Sequence, residues 1–294
     1  MVNMKKMIKI SLASFGLLAA FGFAYAFDWP QEKTSSDSFF SYFGQLRGGT
    51  LESSVIFRDS SEVKAAEDGH IMALISEHNN DFGWFESTLG NAVLVAHDDG
   101  FATVYGNLDD ESLTENLAEW DVVSVGDVLG DSGNSGWQEG QSCLEFQVID
   151  VKKGNVINPR NFMPRIGSEL PLEIGNVTLD DDSGNTHYLA LEKYMKAGKY
   201  KIYHPRQDVA VPYRTVTLLN GATVESISFD TMHETGGRLC IAGNSYYPVD
   251  VIYPDEKRQL LGTVQLLKGH NKLTITVIDI LGSAQTVNYE LEVN

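Results

Sequence analysis

The chain has 294 residues, 43% hydrophobic and 21% charged, with only 8 Pro; at roughly 100–200 residues per domain this is a globular composition with room for two domains. Lys and Arg number 22 against 40 Asp and Glu, a formal net charge of -18, which argues against a phosphate-backbone binder or an anionic-membrane binder, since both depend on basic side chains. Two Cys exclude a disulfide-stapled miniprotein and a four-cysteine zinc module.

Residues 1–26 begin with Lys5, Lys6 and Lys9, carry no charge from Ile10 to Ala26, and end in the small-x-small pattern Ala24-Tyr25-Ala26. The apolar run is short for a membrane span and has the flanks of a secretory signal peptide, with an uncleaved anchor as the alternative. The expected working protein is exported, periplasmic or extracellular, with no membrane insertion after cleavage. Residues 27–42 read as a leader, polar from Gln31 to Ser38 and then aromatic at Phe39-Phe40-Ser41-Tyr42.

From residue 43 to 168 short strands are expected at Glu62–Ala66, His70–Ser76, Ala92–His97, Ala102–Tyr105 and Cys143–Val151. The turn signals Asp68-Gly69, Asp99-Gly100, Gly126-Asp127 and Gly133-Asn134-Ser135-Gly136 punctuate this region. Asp109–Trp120 predicts one helix, its acidic first turn suiting the positive end of the helix dipole. Asn158-Pro159 to Pro171 holds three prolines and marks the boundary. Residues 169–294 then predict strands at Thr215–Leu219, Val224–Phe229, Val249–Tyr253, Leu273–Ile278 and the strictly alternating Val287–Val293. That spacing fits a β-sandwich of roughly seven strands. Its final hairpin, from Leu267 to Asp279 and through Gly282, resembles the closing strands of bacterial immunoglobulin-like modules. The expected fold class is all-β throughout.

Six pieces of the first domain occur in one order. They are Phe43-Gly44 with Arg47-Gly48; Val63-Lys64-Ala65-Ala66-Glu67-Asp68-Gly69; Val93 to Gly100 with Thr103-Val104-Tyr105-Gly106-Asn107-Leu108; Val125 to Gly130 with Ser132 to Gly136; Cys143 to Val148; and Asn158-Pro159. In this order they resemble the lysostaphin/LytM-type zinc endopeptidases that cut peptidoglycan cross-links. The resemblance implies a LytM-like antiparallel β domain of the duplicated hybrid motif or barrel-sandwich type, followed by an immunoglobulin-like β-sandwich.

The family's functional positions are where this sequence departs. Its metal-ligand positions in H-x-x-x-D and H-x-H fall on Glu52, Ile56 and Glu145; its catalytic histidine positions fall on Asn107 and Cys143. A catalytic zinc needs three protein ligands and an open position for water, and Ile56 has no ligating atom. The resemblance therefore implies a peptidase-like protein without zinc or catalytic residues, with Glu52 and Glu145 as solvated carboxylates and Cys143 as a small filler. A metal site rebuilt from Glu52, Cys143 and Glu145 is the alternative, because Cys143 and Glu145, at i and i+2, share a strand face. The former substrate groove is expected to involve His97, Asn107, Trp137, Cys143 and Glu145.

Other features carry paired readings. His97 could activate Cys143 as a nucleophile or simply hydrogen-bond backbone. Cys143 and Cys240 could bridge the domains or remain free buried thiols. Asp181, Ser183, Asn185 and Glu192 have calcium-loop spacing, but Thr186 stands where that loop needs Gly, which favours a solvated turn. Trp84 and Phe85 read as a contact patch or as local packing. The function these readings support is a non-catalytic envelope protein that binds a peptidoglycan peptide or an envelope protein or regulates wall hydrolysis, with no cofactor. An active metallopeptidase with substituted ligands and an extracellular adhesion or scaffold protein are the alternatives.

Overall fold

The computed structural model describes residues 27–32, 34–76, 88–109, 111–113, 117–119, 121–136, 138, 141–208 and 210–294. The signal-peptide reading of residues 1–26 and the Trp84-Phe85 and Trp137 readings fall outside the described residues.

The fold is nearly all β. In the first domain the antiparallel strands Gly69–Ile75, Asn91–Ala96, Phe101–Leu108 and Glu145–Asp150 lie side by side in that order. The apolar run of Asn91–Ala96 is mostly buried and Phe101–Leu108 almost wholly so, as expected of strands covered on both faces. Beyond Glu145–Asp150 the sheet continues through Val55–Phe57 on one part of that edge and Asn155–Ile157 on another. Phe27, Phe39, Phe57, Tyr105 and Phe146 form the aromatic centre of this core.

The segment 27–42, read in the sequence as a leader, is built into the domain. Phe27 and Phe39 are each 1% exposed. Phe39–Ser41 pairs with Val55–Phe57, and the Trp29 indole N–H donates to the Pro164 carbonyl at 3.0 Å. Burying these aromatics outweighs the polar character of Gln31 to Ser38. Within the predicted helix Asp109–Trp120, the described residues form a turn at 111–113 and the 3-10 helix Leu117–Glu119.

The second domain is a two-sheet sandwich. One sheet runs Tyr194–Met195, Ala284–Val293, Gly269–Ile278, Arg214–Leu219 and Ala222–Thr235; the other runs Thr186–Tyr188, Thr178–Asp181, Gly198–Pro205 and Arg258–Leu266. Leu261, Leu266, Leu273, Ile275 and Val277 lie in the core between them. The predicted strand Val249–Tyr253 is instead the single helical turn Val249–Ile252, begun after Pro248 and closed by a hydrogen bond from the Tyr253 N–H to the Val249 carbonyl at 2.7 Å. Proline suits the start of a helix, and burial of Ile252 and Tyr253 overrides the strand preference of the valines. Residues 182–185 form a hairpin turn in which the Asp181 carboxylate accepts the Ser183 and Asn185 N–H groups at 2.9 Å each.

The two domains share structure as well as chain. Val156 and Ile157 pair with Met232 and Thr231, so one sheet passes from the first domain into the second. A third core joins Phe43 and Leu51 to Tyr203, Phe229, Ile252 and Tyr253. At this junction Gly44 has φ +84, and a Cβ there would lie 2.6 Å from the Phe229 ring. Its carbonyl accepts the Tyr253 hydroxyl at 2.8 Å. Only glycine meets both the backbone and the space requirement. Arg160 ion-pairs with Glu169 in near-complete burial, its guanidinium 5.2 Å from the Phe39 ring centre and 5.5 Å from that of Tyr42.

Candidate functional site

Three neighbouring strands position the site. Glu145, the first residue of Glu145–Asp150, is the register partner of Gly106 on one side and of Ile56 on the other. Alternation puts Gln147 on the same strand face as Glu145, and the Gln147 amide donates to Glu145 Oε1 at 2.8 Å. The Gln138 amide donates to Glu145 Oε2. Gln138 Oε1 in turn accepts Arg47 Nη1 at 2.5 Å, and Arg47 Nη1 lies 3.5 Å from Glu52 Oε2. Glu52 Oε1 accepts the Ser54 N–H at 3.0 Å and the Ser54 hydroxyl at 2.5 Å. A continuous polar chain thus runs Gln147, Glu145, Gln138, Arg47, Glu52, Ser54 along a cleft of about 360 Å³ whose wall also includes Thr50, Ser53 and Thr88.

Both carboxylates are buried to 9% exposure, which corrects the expectation that they are solvated. Burial, reinforced by the nearby charge of Glu52, pushes the Glu145 carboxyl up to about 7, against the opposing pull of the Gln147 amide, Arg47 and Gln138. The sequence reading missed Gln138 and Gln147 as site residues and took Arg47 only as a motif marker. The i, i+2 spacing of Glu145 and Gln147 was the available signal for one of them.

Of the other expected groove residues, the described ones, His97, Asn107 and Cys143, do not line this cleft. Asn107 is fully buried with φ +62, a left-handed conformation that Asn tolerates better than most residues. Its amide donates to the Gly133 carbonyl at 2.6 Å and the Cys143 carbonyl at 2.7 Å, and its Oδ1 accepts the Gly136 N–H at 2.7 Å. Asn107 therefore ties the 133–136 turn to the sheet. Cys143 is also fully buried, with the Asn107 amide 3.5 Å from Sγ. Burial pushes its thiol up to about 11, opposite to what a nucleophile needs. Cys143 and Cys240 are both free and buried.

His97 lies at the other end of the strand pair, past the Ala96–Ala102 partners, whereas Asn91 and Leu108 are partners at the cleft end. Its Nδ1 is 2.8 Å from the Asp68 carbonyl, its Nε2 2.9 Å from the Thr103 hydroxyl, and its ring 5.2 Å from that of Phe27. It holds backbone and does not approach Cys143.

The residues at the family's metal positions do not fit a zinc ion. Ile56 is fully buried and has no donor atom. Both Glu145 oxygens are engaged by glutamine amides. Cys143 sits behind the cleft wall as a neutral thiol. Among the described residues no group of three or more His, Cys, Asp or Glu side chains is arranged to hold a metal ion.

Fold and motif order define a β domain of the M23 peptidase class whose metal positions carry other residues. The sequence profile of peptidase family M23 matches residues 54–159, and a second family profile matches residues 171–294. An uncharacterized protein of Treponema pallidum (strain Nichols) is 31% identical over 120 residues, covering 38% of this chain and 79% of that protein. Residues 54–159 are therefore a domain of peptidase family M23.

Among solved structures, a chain of the SpoIIIAH–SpoIIQ complex is similar at 20% identity, with 47% of this chain and 99% of that chain covered and a TM-score of 0.36. The catalytic domain of the prophage-encoded M23 protein EnpA from Enterococcus faecalis is 20% identical, with coverages of 42% and 88% and a TM-score of 0.33. A zinc-containing peptidase from Vibrio cholerae is also 20% identical, with coverages of 42% and 36% and a TM-score of 0.33. Among the described residues no helix is long and apolar enough to cross a membrane.

Proposed function

We propose that this is an exported cell-envelope protein whose M23-type domain binds a peptide, from peptidoglycan or from an envelope protein, without cleaving it. The observation that carries this reading is the pairing of buried, donor-free Ile56 with Glu145, whose two oxygens are held by Gln138 and Gln147. Peptide hydrolysis needs an activated water, and metal-assisted activation needs ligands with an open position. The Glu145–Gln138–Arg47–Glu52 chain instead offers fixed donors and acceptors to an extended peptide backbone. Export is supported by the charge and apolar pattern of residues 1–26.

The test uses the mature chain, residues 27–294. The expected result is retention on purified cell wall or on an envelope partner, no release of wall fragments with zinc supplied, and no zinc retained after loading and desalting. Stoichiometric chelator-sensitive zinc accompanied by wall cleavage would replace this reading with a metallopeptidase using substituted ligands. Absence of any wall or partner retention would remove the binding role.

A further inference from the structure

A second cleft adjoins the first at Arg47 and has the opposite charge. It encloses about 510 Å³ and takes Arg47 and Arg58 from the first domain and Arg206 from the second. Three guanidinium groups on one cleft are unexpected in a chain with 22 basic and 40 acidic side chains. Among the described residues the single acid on its wall, Asp208, has its carboxylate 3.4 Å from Arg206 Nη2 and its side chain 88% exposed, where water screens its charge.

Two of the arginine side chains are held in place. Arg47 lies over the Phe40 ring, 5.4 Å from its centre, and is fixed by Gln138. Arg206 donates from Nε to the Glu256 carbonyl at 3.0 Å, while its own N–H donates to the Lys257 carbonyl at 2.7 Å. The backbone of Arg58 is pinned to the Ser38 carbonyl at 2.6 Å, with its side chain exposed. Guanidinium groups lining an open space suit a carboxylate or a phosphate, both of which accept paired N–H donors.

The neighbouring cleft decides between those anions. Its wall carries Glu52, whose carboxylate repels a compact multivalent phosphate but accepts N–H groups, as it does from Ser54. The combined groove therefore runs from a carboxylate end at Glu52, beside Glu145, to a guanidinium end at Arg58 and Arg206. That polarity fits a peptide which presents N–H donors to the first cleft and a free carboxylate to the second. We propose that the Arg58–Arg206 cleft captures a free carboxylate of a bound peptide. This rests on the reading of the first cleft as a peptide groove. Because Arg58 and Arg206 belong to different domains, the carboxylate would be gripped by both.

The experiment is calorimetric titration of residues 27–294 with the tripeptide Ala-Glu-Glu, with its Ala-Gln-Gln carboxamide counterpart, and with inorganic phosphate. The Arg58→Gln/Arg206→Gln variant is titrated in parallel, and its thermal unfolding serves as a folding control. Saturable binding of Ala-Glu-Glu is expected, weakened by about tenfold or more for the carboxamide and in the double variant, and weakened further by added salt. Equal affinity for the carboxamide, or an unchanged affinity in the folded double variant, overturns the assignment. So does saturation by phosphate with no binding of Ala-Glu-Glu. Wall retention separates this proposal from the one beneath it. Retention that survives Arg58→Gln/Arg206→Gln but is lost in Glu145→Ala removes only the arginine assignment. Retention unaffected by either change removes the groove itself.

Discussion

Ile56 and Glu145 are register partners on adjacent antiparallel strands. Paired residues in such a ladder project to the same face, with Cβ atoms roughly 5 Å apart. The carboxyl of Glu145 therefore stands beside an apolar side chain, and the glutamines on either side supply hydrogen bonds without supplying charge. An acid in that setting holds its proton to about pH 7. An isoleucine at this register position sets the chemistry of its neighbour as well as offering no donor of its own.

The raised Glu145 pKa has a defined effect on stability. The folded protein holds a proton on this carboxyl up to about pH 7, whereas the unfolded chain releases it near its ordinary 4.5. The contribution is therefore fully present below pH 4.5 and is lost as the pH rises through 7, by up to about 3 kcal/mol for a shift of this size. Glu145→Gln is expected to flatten the decline in stability between pH 5 and pH 8 and to be more stable than the unaltered protein at pH 8. Glu67, raised to about 7 chiefly by burial, leaves a residual slope in the same direction. Urea unfolding at several pH values measures both slopes, and a Glu145→Gln variant with an unchanged slope would contradict the assignment.

Asn107 is expected to act as a structural tie. Asn107→Ala removes hydrogen bonds to Gly133, Gly136 and Cys143 and leaves a non-glycine residue at φ +62. Lost buried hydrogen bonds and a strained backbone together cost about 2–4 kcal/mol. Asn107→Gly, which relieves only the backbone, should recover part of that loss. Denaturant midpoints of the two variants test the division; equal losses would mean that the backbone conformation contributes nothing.

The Arg160–Glu169 pair is nearly sealed from water. Arg160→Ala leaves a buried carboxylate without its partner and should cost about 3–5 kcal/mol. Replacing both with apolar residues, Arg160→Met with Glu169→Leu, should restore most of the stability, since no buried charge remains. A double variant no more stable than Arg160→Ala would show that the contacts of the guanidinium with Phe39 and Tyr42 matter more than charge pairing.

Most strand positions of the first domain and the closing hairpin Gly269–Ile278 with Ala284–Val293 were legible in the sequence, because alternation and turn residues are local signals. The M23-type domain was legible too, since its motifs occur in the family's order. The rest depends on contacts distant in sequence. Asn107 reaches residues 26 and 36 positions away, and Tyr253 reaches Gly44 across 209. Nothing local in Phe27-Asp28-Trp29-Pro30 indicates that these aromatics fill a core closed by Phe162 and Pro164. His97 and Cys143 looked like partners only because family position, not strand register, placed them together.

The thiols give a direct readout of burial. Cys143 is fully enclosed with its pKa pushed up to about 11, and burial also raises that of Cys240. At pH 8 neither is expected to react with a thiol-specific chromogenic disulfide while the protein is folded, because the thiolate is the reacting species. In denaturant both should react, since neither is bridged. Rapid native-state reaction lost on Cys143→Ser would mean that this side chain reaches the cleft after all.

Removing the second domain should destabilise the first. Phe43 and Leu51 are buried in a core built largely by residues 203–260, and Val156 and Ile157 lose their strand partners Met232 and Thr231 when that domain is absent. A fragment of residues 27–168 would expose this apolar surface together with an unpaired strand edge, a combination that promotes aggregation. The intact chain should instead unfold in one cooperative transition, because the junction is a packed core rather than a linker. Differential scanning calorimetry of the intact chain and sedimentation of the fragment test the two expectations. A soluble, monomeric fragment that melts like the intact protein would show that the junction contributes little to the first domain's stability.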